Sequence, residues 1–158
     1  GGSKDSPSIK FEELLERLSK FVEPINPFFI GGEKHIPGIL EATGEDRQKR
    51  WCDMALELYH VIRDQAHMGL AILNGDPADF GVGCEMGYGF ALHETGYKPF
   101  PLVAYREDFR RGGETDNNLN AMALPTYMLT GGRFVDRYED IFVSVAEVAA
   151  RFKPAVSE

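Results

Sequence analysis

The chain has 158 residues, 43% of them apolar, enough for one domain with a core and unlike a disordered composition. A formal net charge of −8 repels phosphate backbones, which argues against a nucleic-acid polymer as partner. No apolar run approaches the roughly 20 residues that cross a bilayer, and two cysteines, Cys52 and Cys84, give neither a disulfide framework nor a metal pattern.

The chain begins without a basic region followed by an apolar stretch, so no signal peptide is expected and a cytoplasmic location is. Ser6-Pro7 suits a helix start, with Ser as N-cap and Pro at the first helical position. Phe11, Leu14, Leu15, Leu18, Phe21 and Val22 then repeat at helical spacing, and Pro24 and Pro27 close the helix. Residues 27–30 suggest a short strand, and 31–46, rich in Gly, Pro and charge, a loop with at most a helical turn. A helix is predicted over 45–65, with Trp51, Met54, Ala55, Leu58, Val61 and Ile62 facing a sheet and Trp51 in the core. The apolar run 68–73 reads as a buried parallel strand, 83–93 as a helix and Gly96-Tyr97-Lys98-Pro99 as a turn. A strand follows over 100–105, a polar loop over 106–119 and a helix over 120–128. Gly131-Gly132 turns into a strand over 133–135, and a last helix covers about 138–152. This alternation predicts a single α/β domain over 1–158, a Rossmann-like or flavodoxin-like three-layer sandwich with a mainly parallel sheet. Ligands of such folds lie beyond the carboxyl ends of the strands, which is where residues 74–85 must be.

That stretch contains D-F-G-V-G-C-E-M-G-Y-G-F-A-L, residues 79–92. Glu85 is expected in the first turn of its helix, where the partial positive charge favours a carboxylate by about 0.3–1 kcal/mol. An ionised, positioned carboxylate can attack an electrophilic carbon such as the anomeric carbon of a sugar. Asp79, in the preceding loop, would be the acid or orient the substrate. The two acids also fit a loop and a helix start with no chemistry at all. Gly87 and Gly89 each cost about 0.8–1 kcal/mol relative to Ala in a helix, so a neighbouring strand or a ligand is expected close to that backbone.

The same residues resemble the signature of the nucleoside 2-deoxyribosyltransferases: Asp79, then Gly81, then Glu85-x-Gly87-Tyr88 six residues after the Asp, then a small-residue helix and the turn Gly96-Tyr97-Lys98-Pro99. A second match is Asn120-x-Met122, with Gly131-Gly132-Arg133 and Tyr138-Glu139-Asp140 downstream, so that the resemblance covers about 45–152. It implies that Glu85 attacks C1′ of a 2′-deoxynucleoside and expels the base, and that a second base takes the sugar from the ester. Asp79 would be the proton donor or acceptor on the base side. Asn120 would hydrogen-bond the sugar hydroxyl or Glu85 across a subunit interface, and Gly81 and Met122 would line the substrate pocket. Such a protein is a homo-oligomer, a dimer or larger, with shared active sites, and needs no cofactor or metal. The lack of a 2′-hydroxyl makes the oxocarbenium-like transition state easier to reach, and an anionic Glu85 would both stabilise and trap it.

The family opens with an apolar strand, whereas this sequence starts at Gly1-Gly2-Ser3 in what would follow it. The first strand is therefore expected to be missing, or replaced by residues 27–30. Tyr88 could line the pocket or pack beneath its helix, and Phe80 could stack on a nucleobase or be a lone surface aromatic. Cys84 reads as packing, since none of the four histidines forms a pattern with it. Two rivals keep the fold: an N-glycoside hydrolase of nucleoside 5′-monophosphates, with water as acceptor, and a non-catalytic nucleoside-binding module.

Overall fold

Among the described residues three parallel strands form the sheet, β1 (Gly69–Ile72), β2 (Leu102–Tyr105) and β3 (Arg133–Val135), in the order β1-β2-β3. Gly69 stands opposite Leu102 and Ile72 opposite Tyr105, while Val103 meets Arg133 and Tyr105 meets Val135. The middle strand reads L-V-A-Y, and all four residues are buried, as expected of a parallel strand covered on both faces. The ladder runs past the strand ends, with the Leu73 N–H donating to the Tyr105 carbonyl and the Arg106 N–H to the Val135 carbonyl.

This computed structural model describes residues 10–26, 33–74, 80–107 and 121–152. Its contacts divide the chain into two units, one of Gly1–Glu23 with His67–Glu158 and one of Pro24–Ala66.

In the sheet-bearing unit, side chains alternate across the strands. On one face Val103, Tyr105 and Val135 cluster with Leu14 and Leu18 of α1 (Phe11–Leu18) and with Ile141, Phe142, Val145 and Val148 of α6 (Asp140–Arg151). Each such burial stabilises by about 1.5–3 kcal/mol. Arg17 ties α1 to α6: its guanidinium donates to both carboxylate oxygens of Glu139, at 3.0 and 2.6 Å, and lies 3.7 Å from the Phe142 ring centroid. The other face carries α4 (Phe80–Glu94) against β1 and α5 (Leu124–Met128) against β2 and β3. The fold is an α/β sandwich of the Rossmann-like or flavodoxin-like kind with a small, all-parallel sheet. No strand precedes β1 among the described residues, and residues 27–30 lie outside them.

Two turns fix the crossovers. Gly96 has φ +76° and closes α4, with its N–H on the His93 carbonyl at 3.1 Å and the Tyr97 N–H on the Leu92 carbonyl at 3.0 Å. This double bond pattern requires the left-handed residue that glycine supplies most easily. At the second turn, a Cβ on Gly132 would fall on the backbone of Leu102, so β3 can enter the sheet there only with glycine.

Three elements depart from the sequence expectation. Residues expected as loop form α2 (Glu33–Glu41), which continues through Pro37, with Ile39 fully buried. The Ile36 and Ile39 spacing carries a helical face that the Gly and Pro content obscures, while Leu40 stays exposed. It packs on α3 (Gly44–Asp64), and Glu57 of α3 binds Lys34 at 3.3 Å and also His35. Trp51 is 44% exposed instead of core, and Val61 is the one α3 residue described as buried. Within that unit the partner of the 21-residue α3 is the 9-residue α2, too short to cover it. Finally, α4 begins at Phe80 rather than Gly83. No helix among the described residues is long and apolar enough to cross a membrane.

Candidate functional site

Helix α4 connects two parallel strands, so it runs back from the carboxyl edge of the sheet to the amino edge. Its buried residues are Met86, Gly89 and Leu92. A Cβ on Gly89 would overlap the Phe100 ring, which lies just before β2. Glu85 precedes Gly89 by four residues and therefore shares its face, one turn nearer the carboxyl edge. Gly81 and Tyr88 lie at i−4 and i+3 from Glu85, on the same side of the helix. Glu85 and Tyr88 are half-buried and Gly81 is exposed. The structure thus groups three of the sequence-derived site residues on one stripe of α4, with Gly81 toward the carboxyl edge and Tyr88 beside Gly89, which meets Phe100 at the amino ends of β1 and β2.

The early start of α4 changes the electrostatics expected of Glu85. With Phe80 as the first helical residue, Glu85 stands in the second turn, and the first turn holds no acid. The helix-terminal charge falls off within one turn, so it contributes less than the full first-turn stabilisation.

Phe80, at the helix start, is 86% exposed and on the side of α4 turned away from Glu85. Met122 lies in a 3-10 turn (Ala121–Ala123) that packs against α4, and is 83% exposed. Asp79 and Asn120 lie outside the described residues. A cleft of about 320 Å³ opens between β3 and α6, lined by Arg133, Val135, Asp136, Asp140, Val143 and Ser144 among others, and Glu85, Tyr88 and Met122 are not part of its lining. Among the described residues no group of three or more His, Cys, Asp or Glu is placed to hold a metal ion.

The carboxyl edge also carries a polar network centred on Glu107, a residue of the expected polar loop that follows β2. The Tyr105 hydroxyl donates to Glu107 Oε2 at 2.5 Å, and the Tyr138 N–H donates to the same oxygen at 3.0 Å. The Glu107 N–H donates to Asn74 Oδ1 at 2.7 Å. Burial pushes the Tyr105 hydroxyl far above the ordinary tyrosine range, and the bond to the Glu107 carboxylate adds to this. The Asn74 amide faces that hydroxyl and opposes part of the rise, while among the described residues its Nδ2 is buried without a hydrogen-bond partner. Such an unpaired donor costs about 1–3 kcal/mol. A tyrosine closing an all-apolar strand, with an acid two residues on, was the available sequence signal.

Compared with known proteins, no family model matches the chain and no curated protein matches it.

Proposed function

We propose that the protein transfers 2-deoxyribose between nucleobases through an ester on Glu85. The observation that carries this reading is the common stripe of Gly81, Glu85 and Tyr88 on α4, with Glu85 one turn from the sheet-packed Gly89 and toward the carboxyl edge. The Asp79-to-Tyr88 pattern, which resembles the nucleoside 2-deoxyribosyltransferases, supports it from the sequence side.

In this reading Glu85 attacks C1′ of a 2′-deoxynucleoside as the bond to the base breaks, and the base leaves with a proton supplied by Asp79. The free nucleobase that enters next attacks C1′ from the vacated side, gives up its proton to Asp79 and releases Glu85 as carboxylate. Two displacements return the sugar with net retention. Tyr88 and Gly81 shape the side of the pocket nearest the nucleophile, and Met122 and Asn120 approach from the segment leading into α5, with Asn120 supplied by a neighbouring subunit of a homo-oligomer.

The test is incubation of deoxyinosine or thymidine with a second free base, with chromatography for a new deoxynucleoside. Exchange by the parent protein and its loss in Glu85→Ala is the expected outcome. Exchange at the parental rate by Glu85→Ala contradicts the mechanism, and free sugar without a new nucleoside indicates water as the acceptor.

A further inference from the structure

Glu107 lies where three chain segments converge. One carboxylate oxygen, Oε2, takes both the Tyr105 hydroxyl at the end of β2 and the Tyr138 N–H at the approach to α6. Its own N–H binds Asn74, two residues past the end of β1. The partners lie 33 and 31 residues away in sequence, so the bonds set tertiary geometry and not a local turn. The orientation of Asn74 follows from chemistry: of the two amide atoms only the oxygen accepts from an N–H, so Oδ1 faces Glu107. Because the side chain of Glu107 is held at one oxygen by two donors, its backbone N–H is held in place as well. Asn74 in turn fixes the point where the chain leaves β1, before α4 resumes at Phe80 and packs on β1.

We propose that Glu107 is a positioning residue for Glu85, acting through Asn74. It sets the carboxyl end of β1 against β2 and the approach to α6, and so sets where the first turns of α4 place the nucleophile. This rests on the deoxyribosyl-transfer reading. A nucleophile displaced by about 1 Å from its line of attack loses on the order of 100-fold in rate. Substrate binding, spread over other residues, changes less. The consequence is a fall in kcat with KM nearly unchanged.

The experiment uses the full chain and four variants, Glu107→Ala, Glu107→Gln, Asn74→Ala and Asn74→Asp, with the double alanine variant. Gln and Asp keep an acceptor in the required place. The expected result is a fall of about 10–100-fold in kcat for base exchange in each alanine variant. KM stays within about threefold, Gln and Asp recover most of the rate, and the double variant is no slower than the worse single one. Amide hydrogen exchange over residues 80–86 accelerates by about tenfold or more in both alanine variants, whatever the activity. Unchanged protection there overturns this inference alone, as do conservative variants no better than alanine or kcat losses that multiply. A parent protein that shows the loosening on substitution but exchanges no base overturns the functional reading alone.

Discussion

On the side of α4 turned to the sheet, Gly89 leaves room for the Phe100 ring, whereas on the opposite side Gly83 and Gly87 face open space. The sheet-side glycine has a complete explanation in packing: a methyl group there would occupy the ring's volume. Nothing in the structure explains the other two. A glycine-rich helix is thus not one signal, and its open face lies away from Glu85. What marks the candidate site is the half-buried carboxylate of Glu85, beside the buried Met86 and one turn from Gly89.

The tightest glycine contact is the most sensitive to substitution. Gly132→Ala sets a methyl group against the Leu102 backbone, which cannot rotate aside. It is expected to destabilise by about 3 kcal/mol or more, read as a lowered urea midpoint with unchanged slope. Gly89→Ala meets an aromatic ring that can shift, and the gain in helix propensity offsets part of the clash. A loss of about 1–2 kcal/mol is expected in the same measurement. Gly87→Ala has no clash to offset and is expected to stabilise by about 0.8–1 kcal/mol. A destabilised Gly87→Ala would show that the open side is occupied by another part of the protein or by a second subunit.

The smallest effect concerns the far face of the sheet. The Arg17 guanidinium, hydrogen-bonded to Glu139, holds that carboxyl below its usual range. A carboxyl lowered on folding contributes stability that is present above its unfolded value, near 4.5, and lost as pH falls through the folded value. Glu139 is exposed and Arg17 only half-buried, so the effect is small and sensitive to salt. Glu139→Gln is expected to flatten the thermal-stability profile slightly below about pH 4.5 and to leave its shape near neutrality unchanged.

Much of this architecture was legible in the residues. The apolar run ending at Leu73 contains β1, and the strand over 133–135 matches β3. The turn at Gly96 follows from glycine chemistry that is local to the chain. What stayed hidden was tertiary. Helix α2 was masked by Pro37 and Gly38, because its evidence is the burial of Ile39 and the pairing of His35 and Lys34 with Glu57. Helix α4 starts three residues before its expected position, because Gly81 and Gly83 lower helix propensity while packing on β1 overrides it. At the candidate site, the placing of Gly81, Glu85 and Tyr88 on one side of α4 follows from their spacing. The Asn74–Glu107–Tyr138 junction was not, since it exists only once the register of β1 on β2 and the approach to α6 are set.

The most direct measurement is mass spectrometry of the peptide containing residues 79–92 after quenching the protein with a 2′-deoxynucleoside in the absence of an acceptor base. Added mass equal to one deoxyribosyl group on Glu85 is expected, lost again when a free base is supplied. An unmodified peptide from protein that is actively exchanging bases would contradict it.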